Sequence, residues 1–600
     1  MNDTLTDMRH LRFLLYEVLH LEEKLKYPYF EDHSRETFDM ALDAAYTLAR
    51  EVFWPTYRQV DQEGVHFDGE RVTVPRPLHD IWKHCREGGW FAPDASYDLG
   101  GSQYPLTILA ACVYLFNCGD TSASMLVCGA GGTGRLIQEC ADESLAKKFV
   151  PKLYSGEWGG TMALTEPDAG TSVGDIKTSA TPIEGEDCYA IKGVKRFISS
   201  GDHDITENII HPVLARIKGA PAGVKGISLF IVPKYLVGDN GEIGDFNNVT
   251  AAGIEHKMGL KGQPTVTLNF GEKGICRGYL IGEPNQGLKH IFHLLNHARV
   301  FTGIQAIAGA SAAYQCALAY AKERLQGRQV TNMDPASPQV PIIEFPDVRR
   351  MLLSQKAFIE GMLSLILYCA SMADDVAHME DEKAKRKMTL VMELLTPCCK
   401  AHGSDGAFQA IVSAMQCLGG AGYCEEYPVA QILRDNKVFS IYEGTNGIQA
   451  MDLLGRKVPA EGGASVRYLM KEISKAISEA GAMESLKPLA DKMQEVQNEV
   501  IAATMCLGQV GMSGEIEKYI SNASLYLEMF SQMVLSWQLL RQAVVAQQAL
   551  DMGKKETDFY IGLIETARFY ITMAGPHAIA SAKILQSDET TAYNFNVAWF

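Results

Sequence analysis

Glu443 is the residue whose type and setting most directly suggest chemistry. It lies in the stretch SIYEGTNGIQA (440–450), where it is the only charged residue among small, polar and apolar neighbours. Glycine disfavours regular helix, so Gly444 and Gly447 predict a turn or irregular backbone here. The carboxylate then has two interpretations. It is a solvated loop charge, as most glutamates are, or a tight turn holds a general base at a sheltered site.

Two further clusters have the composition of a surface for a flat ligand. The segment TMALTEPDAGTSVGDIKTSA (161–180) is rich in small and hydroxyl residues, which let a ligand approach the backbone closely. The segment YAIKGVKRFISSG (189–201) places Phe197 and Ser199 where backbone and a hydroxyl can lie against an aromatic ring. Taken alone, the first is also typical of an ordinary turn cluster and the second of an amphipathic strand.

Two other clusters suit phosphate. Arg299 and Arg324 lie on or beside one predicted long helix, about seven turns apart at 3.6 residues per turn, and arginine matches phosphate geometry well. The sequence LGGAGY (418–423) interrupts a helix end, where backbone N–H groups can face an anion. Surface arginines and glycine clusters are each common, so the weight lies in their combination with the Glu443 turn that follows.

The bulk composition narrows the class of protein. The chain has 600 residues with 47% hydrophobic and 21% charged residues, as in soluble proteins. Its formal net charge of -17 repels phosphate backbones and predicts no nucleic-acid partner. The 14 cysteines include no CxxC pair, so we expect neither a metal site nor a disulfide framework. Reduced thiols, an N-terminus without a signal-peptide core and apolar runs such as SLILYCASM too short to span a bilayer predict a cytoplasmic protein without membrane insertion.

The elements that position these clusters change character along the chain. Apolar residues at helical spacing predict helices up to about residue 155. Short β-rich runs separated by Gly and Pro predict a compact antiparallel β domain from about 156 to 282. Helices return from about 285 to 455, with a bend or break near Pro397. The stretch RKVPAEGGASVR (456–467) reads as a linker before a last helical segment, 468–600.

In this order, the clusters resemble the signatures of the acyl-CoA dehydrogenase family, flavoproteins that oxidise acyl-CoA thioesters to enoyl-CoA. ALTEPDAGTS resembles A-x-T-E-P-x-A-G-S-D, and GVKRFISSG resembles G-x-K-x-W-I-T-N-G. EHKMGLKGQPT resembles K-M-G-x-R-G-S-x-T, and YAKERLQ resembles Y-A-x-x-R-x-Q. LGGAGY and RDNKVFSIYEGTNGIQ are similar to the last signature. The length resembles a long subgroup that includes 3-methylmercaptopropionyl-CoA dehydrogenase.

The resemblance implies an α+β fold of acyl-CoA dehydrogenase type, with a central β-barrel-like domain and a C-terminal four-helix bundle. The implied segments are an N-terminal extension (1–35), an N-terminal helical domain (36–155), the β domain (156–282), the bundle (283–455) and an additional C-terminal helical domain (468–600).

The resemblance also implies roles for individual residues, with FAD as cofactor. Glu443 matches the catalytic base of the family. The residues implied to bind FAD are Leu164, Thr165, Phe197, Ser199, Arg324, Gln326, Gln416, Gly420 and Thr445. The residues implied to lie on the acyl-CoA side are Thr171, Arg299, Tyr442 and Gly444.

Several positions depart from the family pattern. Ser172 stands where the family often has Asp, and LQGRQV with the insertion TNMDPASPQ replaces the usual x-Q-F-G after Arg324. Phe197 replaces the commoner Trp and keeps an aromatic face, while Gly447 replaces a frequent Gln, so one FAD hydrogen bond is lost or moved. Some relatives carry the base on the long helix, at the position of Ala298 here, which has no carboxylate. The resemblance therefore leaves Glu443 as the candidate base.

In the implied reaction, Glu443 abstracts the α-proton while the β-hydrogen leaves as hydride to the flavin. Electrons then pass to electron-transfer flavoprotein, and the protein is expected to be a homodimer. The acyl group stays open, with 3-methylmercaptopropionyl-CoA or another short or medium acyl-CoA as candidates. Two alternatives stay open as well: an acyl-CoA oxidase that uses O₂, and a non-metabolic FAD-binding protein of the same fold that binds DNA. The acidic balance of residues 461–600 disfavours the DNA-binding alternative.

Overall fold

The computed structural model describes residues 4–329, 331–332, 334–587 and 589–600, and only the backbone of 292–297. The chain forms two compact units that interleave along the sequence. The first, which we call the helical unit, comprises Met1–Met40, Pro105–Cys118 and Arg299–Phe600. The second, which we call the barrel unit, comprises Ala41–Tyr104 and Gly119–Ala298.

The barrel unit contains all the described β-strands. They are β1 (His66–Phe67), β2 (Val72–Thr73), β3 (Gly159–Gly160), β4 (Ser179–Pro182), β5 (Tyr189–Ser199), β6 (Ile209–Ile217), β7 (Ile227–Pro233), β8 (Tyr235–Val237), β9 (Ile243–Phe246), β10 (Val249–Ile254), β11 (Thr265–Phe270) and β12 (Arg277–Ile281).

The main sheet closes on itself. Its strand order is β10-β11-β5-β12-β7-β6-β3, and β4 pairs with both β5 and β6. The pairings β5–β12–β7–β6–β4–β5 therefore form a closed circuit, which removes the exposed edges of those strands. The strands are mostly antiparallel, as predicted, but β6 pairs in parallel with both β3 and β4. The β-barrel-like centre implied by the family resemblance is thus present.

The burial of the strand residues explains why the barrel holds together. In β6 and β7, apolar residues occupy nearly every position and are buried on both faces, as is typical of central strands. In β5 the burial alternates, and only Ile191, Lys195 and Ile198 are fully buried. The barrel core includes Ile191, Val213, Phe230 and Phe270. Besides its strands, the barrel unit contains four complete α-helices: Trp54–Glu63, Arg76–Glu87, Thr121–Cys140 and Glu143–Tyr154.

The helical unit is built from long helices. Those of at least 14 residues that begin or continue in it are Leu106–Gly119, Gly287–Glu323, Pro346–His378, Glu382–Pro397, Gly403–Leu418, Ala460–Gly481, Lys487–Met512, Ala523–Asp551 and Thr557–Gln586. Shorter helices are Met8–Arg12, Pro428–Asn436, Asn446–Asp452, Ile516–Ser521 and Thr591–Asn594. One further helix of 14 residues, Arg35–Leu48, begins in this unit and continues into the barrel unit.

The helical unit joins distant parts of the chain. Arg9 donates from Nη2 to Glu556 Oε2 over 2.7 Å, and His10 pairs with Gln542 over 2.9 Å. Asp374, from helix Pro346–His378, accepts hydrogen bonds from Leu106 N, Thr107 N and the Thr107 hydroxyl. Asp374 therefore caps the N-terminus of helix Leu106–Gly119 from another element.

Two local predictions are confirmed by the structure. Helix Glu382–Pro397 ends at the proline, and a π-helical segment, Cys398–His402, connects it to helix Gly403–Leu418. The backbone stays right-handed through this segment, and proline accounts for the change of hydrogen-bond pattern because it cannot donate the helical hydrogen bond. Helix Gly403–Leu418 ends at Gly419, whose φ of 60° lies in the left-handed region. Such a residue is the usual helix terminator.

Three other predictions need correction. Gly447 lies inside helix Asn446–Asp452, because the Thr445 side chain accepts from Ile448 N and starts the helix before it. The predicted linker 456–467 is shorter in the structure. Residues 458–459 are not helical and Glu461, Gly462 and Gly463 have left-handed backbone, so the break lies between the π-helical segment Leu453–Lys457 and the regular part of helix Ala460–Gly481. The run SLILYCASM is part of a single 33-residue helix, Pro346–His378. That helix is long and apolar enough to cross a membrane, and 89% of its most apolar window is buried inside the protein.

Candidate active site

In the barrel unit, a β-bulge turns Phe197 outward. Along the β5–β11 pair, Lys195 faces Leu268 and Ile198 faces Val266, so two residues of β5 oppose one of β11. Phe197 has a φ of 61°, which is rare for a bulky residue. Phe197 as a whole residue is 55% exposed. Bulges commonly re-aim a side chain in this way. The result is an aromatic face presented to solvent beside the half-buried Ser199.

A buried ion pair holds the neighbouring loop against this strand. Lys195 Nζ donates to Glu166 Oε1 over 2.9 Å and to the carbonyl oxygen of Leu164 over 3.0 Å. Glu166 also accepts from Lys177 N and Thr178 N. Burial disfavours the carboxylate, but Lys195 and these hydrogen bonds outweigh it and hold the pKa of Glu166 below its usual value.

The ion pair brings two predicted segments together. Arg196 N donates to the Thr165 carbonyl over 2.9 Å, directly beside Phe197. Leu164 and Thr165 are half-buried and therefore lie at the surface next to the exposed ring. Thr171 lies farther along the same loop, where it is exposed and accepts through its carbonyl from Val173 N.

In the helical unit, the predicted turn holds Glu443 in a strained conformation. Glu443 has a φ of 55° and Gly444 a φ of 87°. A Cβ at Gly444 would lie 2.7 Å from Gln449 Nε2, which donates to the Gly444 carbonyl. Only glycine fits there without strain. Non-glycine residues in left-handed backbone often mark functional sites.

The turn is fixed on the long helix Gly287–Glu323. The hydroxyl of Tyr442 donates to Gln305 Oε1 over 2.5 Å. Arg299 of the same helix lies so close that a Cβ at Gly444 would be 3.8 Å from its Nη2. Arg299 Nη1 is 3.3 Å from Asp452 Oδ2, while Arg299 Nε is buried without a hydrogen-bond partner among the described residues.

The electrostatics of Glu443 favour a base. Burial raises its pKa above the usual value of 4.5, and the positive charges of Arg299 and Lys400 offset only part of that effect. Within the described part of the chain, neither its carboxylate nor its backbone N–H takes part in a hydrogen bond. A half-buried carboxylate with a raised pKa and no partner can accept a proton from a ligand.

The remaining predicted residues are solvent-accessible. Gln416 and Gly420 flank the end of helix Gly403–Leu418 and are exposed. Arg324 and Gln326 are exposed beyond the end of the long helix, where Gln326 N donates to the Val340 carbonyl. Thr445 is exposed and caps helix Asn446–Asp452.

The structure thus assembles two groups of predicted residues. In the barrel unit, Leu164 and Thr165 are bonded to Lys195 and Arg196, on the end of β5 that also carries Phe197 and Ser199. In the helical unit, Arg299 lies beside the turn formed by Tyr442, Glu443 and Gly444. Among the described residues, no hydrogen bond or ion pair joins Glu443 to Arg324, Gln326, Gln416 or Gly420.

Sequence reasoning missed Lys400, Asp452, Gln305 and Asn446. Lys400 and Asn446 are joined by a hydrogen bond, and Asp452 and Gln305 hold Arg299 and Tyr442. One signal pointed to Lys400: it is the only formal charge within the run TPCCKAHG.

Family models match the chain along most of its length. "Acyl-CoA dehydrogenase, N-terminal domain" matches residues 35–157, and the "middle domain" model matches 161–272. "Acyl-CoA dehydrogenase, C-terminal domain" matches 285–457. "Acetyl-CoA dehydrogenase C-terminal like" matches 469–596.

Full-length relatives agree with these matches. A butyryl-CoA dehydrogenase of Syntrophomonas wolfei is 35% identical over 603 residues, which cover 98% of each chain. The 3-methylmercaptopropionyl-CoA dehydrogenase of Ruegeria pomeroyi is 32% identical and covers 93% of this chain and 94% of its own. A solved acyl-CoA dehydrogenase of Bacillus anthracis complexed with FAD has a TM-score of 0.73 at 20% identity, covering 92% of this chain and 88% of its own. The chain belongs to the acyl-CoA dehydrogenase family.

Proposed function

We propose that the protein is an FAD-dependent acyl-CoA dehydrogenase that converts an acyl-CoA to its trans-2-enoyl-CoA, with Glu443 as the base. The observation that carries the proposal is the Glu443 turn: a half-buried carboxylate with a raised pKa and no hydrogen-bond partner among the described residues. The α-proton of a thioester is weakly acidic, so its removal near neutral pH requires a positioned base whose pKa lies close to the working pH.

The residues of the barrel unit fit a flat, aromatic cofactor. Phe197 offers an exposed ring, Ser199 a hydroxyl, and Leu164 and Thr165 a half-buried edge that the Glu166–Lys195 ion pair fixes. Bound FAD supplies a hydride acceptor. We propose that these four residues hold its ring.

We propose that exposed polar residues of the helical unit bind the phosphate-bearing half of FAD. Arg324 offers a guanidinium and Gln326 and Gln416 offer amides, all reachable from solvent. At Gly420 a Cβ would meet nothing within 4 Å, so the backbone is open to a ligand. Thr445 completes the set as a flavin contact.

The backbone beside Glu443 supports a second role in the same step. The N–H of Glu443 has no acceptor among the described residues. We propose that it donates to the thioester carbonyl and stabilises the negative charge that develops there. One such donor is typically worth about 3–4 kcal/mol. We propose that Arg299, Tyr442 and Gly444 contact the acyl group and that Thr171 contacts the CoA.

The proposed substrate is a short or medium acyl-CoA, because the relatives are named for butyryl-CoA and 3-methylmercaptopropionyl-CoA. We further propose a cytoplasmic homodimer that passes its electrons to electron-transfer flavoprotein. Faster reoxidation by O₂ than by that flavoprotein would instead indicate an oxidase.

The test is anaerobic flavin reduction. We expect butyryl-CoA or 3-methylmercaptopropionyl-CoA to bleach the flavin absorbance of the purified protein. Glu443→Gln should retain FAD but reduce it about 10²–10⁴-fold more slowly, the usual contribution of a general base. Glu426→Gln, which removes an exposed glutamate, should behave as wild type. Undiminished bleaching in Glu443→Gln would contradict the proposal.

A further inference from the structure

Lys400 is a buried ammonium close to the active-site turn. It is 0% exposed and lies in the π-helical segment Cys398–His402. Lysines are almost never fully buried without a partner, because removing the charge from water is costly. Single π-helical turns often lie at functional sites. The proposed reaction assigns Lys400 no role.

The ammonium is tied to the turn through Asn446. Lys400 Nζ donates to Asn446 Oδ1 over 2.9 Å. The Asn446 amide in turn donates to the Ala401 carbonyl over 3.2 Å and to Ser404 Oγ over 3.0 Å. Asn446 is the first residue of helix Asn446–Asp452 and lies three positions after Glu443. These bonds anchor the C-terminal side of the turn.

Lys400 keeps its charge available to Glu443, unlike Arg299. Arg299 Nη1 faces Asp452 at 3.3 Å, so a carboxylate offsets part of its charge. Among the described residues, no carboxylate lies within ion-pair distance of Lys400 Nζ, whose hydrogen bond goes to the neutral amide of Asn446. Coulomb interaction with Glu443 raises the pKa of Lys400, although burial has the larger effect and lowers it to about 8.

Other charges around this pair are few. Asp405, on helix Gly403–Leu418, is exposed and favours the charged form of Lys400. Asp452 also pairs with Arg456 at 2.6 Å. Burial lowers the pKa of His402 to about 4, so this ring is neutral at working pH. The charged groups that bear on Glu443 most directly are therefore Arg299 and Lys400.

We propose that Lys400 is a positioning residue for Glu443: its bond to Asn446 fixes the turn, and its ammonium keeps the Glu443 carboxylate ionised enough to act as base. The inference rests on the proposed function and adds a second element to it. Burial raises the proton affinity of Glu443, and the fixed charge of Lys400 limits that rise so that the base works near neutral pH.

The test is the pH profile of anaerobic flavin reduction by butyryl-CoA. The rate rises with pH as Glu443 ionises. In Lys400→Met and Lys400→Gln the midpoint should move to higher pH by about one unit, the low end of the shifts that neighbouring charges cause. At pH values well below the midpoints of both wild type and variant, the variants should then reduce the flavin about tenfold more slowly than wild type. Lys400→Arg should keep the wild-type midpoint, since it keeps the positive charge.

Two controls separate charge from packing. Lys457→Met removes another buried ammonium, paired with Glu393 at 3.0 Å. It should lower stability and leave the midpoint unchanged. Asn446→Ala keeps the charge but frees the turn, so it should lower the maximal rate without moving the midpoint. Lys400→Gln retains an N–H donor for Asn446 and serves where the Met variant does not fold.

An infrared titration gives a readout that does not depend on turnover. The band of the protonated carboxyl, assigned by its loss in Glu443→Gln, should persist to higher pH in Lys400→Gln. Wild-type and Lys400→Gln profiles that superimpose in both measurements would overturn the inference and leave the proposed function intact. An unchanged maximal rate in Asn446→Ala would overturn the claim that the Lys400–Asn446 bond fixes the turn. Absence of flavin reduction in wild type would instead reject the proposed function.

Discussion

Replacing Lys195 by methionine tests how the barrel unit holds its ligand surface. Lys195 and Glu166 are 0% and 6% exposed, and Glu166 accepts three hydrogen bonds, one of them from the Lys195 ammonium. Lys195→Met therefore leaves a buried carboxylate with two backbone donors and no counter-charge. Breaking such a pair from one side typically costs about 3–5 kcal/mol.

Hydrogen exchange of the peptide that covers β5 measures this cost. Because about 1.4 kcal/mol is a factor of ten, local opening should become roughly 100- to 4000-fold more frequent, and amide exchange should speed up equally. Lys195→Met/Glu166→Gln removes both charges, so its exchange should be slower than that of Lys195→Met alone.

Arg196→Met is the matched control on the same strand. Its guanidinium pairs with Glu255 at 3.0 Å on the exposed surface, where solvent screens the interaction, so exchange should change little. The reasoning fails if Lys195→Met speeds exchange less than tenfold, or if the double variant exchanges faster than the single one. Either result would mean that the loop at Leu164 and Thr165 does not depend on a buried charge pair.

Two further predictions concern a glycine and a helix cap. In a stopped-flow assay, Gly444→Ala should slow flavin reduction about 100-fold at unchanged FAD content, because displacing a catalytic group costs about that factor. Gly447→Ala is the control and should react as wild type, because its Cβ would approach only Thr445 Oγ1, at 3.9 Å. Burial raises the pKa of Asp374 from 3.8 to about 6, so the folded state binds more protons in that window and stability should fall as pH rises through it. Asp374→Asn removes this contribution, so between the ordinary pKa of 3.8 and about 6 the variant's stability in thermal unfolding should fall less with pH than that of wild type. Identical slopes in wild type and Asp374→Asn would exclude Asp374 as a contributor.

Local sequence chemistry anticipated the turn at Glu443 but not its surroundings. The sequence predicts a turn at Gly444 correctly, because the left-handed backbone there requires a residue without a Cβ. Gly447 was misread because a hydroxyl three residues before Ile448 starts a helix, and the capping bond outweighs the low helix propensity of glycine.

The groups around Glu443 could not be predicted, because they come from separate parts of the chain. Lys400 and Arg299 reach the turn from two different helical segments, and their nearness depends on how those segments pack. Periodicity describes one element at a time and carries no information about that packing.

The closed barrel shows the same difference between local structure, which the sequence predicts, and packing, which it does not. The β-rich runs and their turn signals predicted strands correctly, but alternation alone did not predict the parallel pairing of β4 with β6. That pairing joins Ser179 to Arg216 and is decided by closure of the whole circuit. The bulge at Phe197 was likewise hidden, since only the register with β11 reveals it.

The contact between Arg9 and Glu556 has a consequence for how the protein is made. These residues are 547 positions apart, yet both belong to the helical unit. A ribosome adds about 5–20 residues per second, so the N-terminal segment waits roughly half a minute to two minutes for this partner. During that time its apolar residues, such as Leu11 and Phe13, have no finished core to enter. Synthesis of this chain therefore exposes its first helix longest, and that segment is the one a chaperone or a protease meets before the fold is complete.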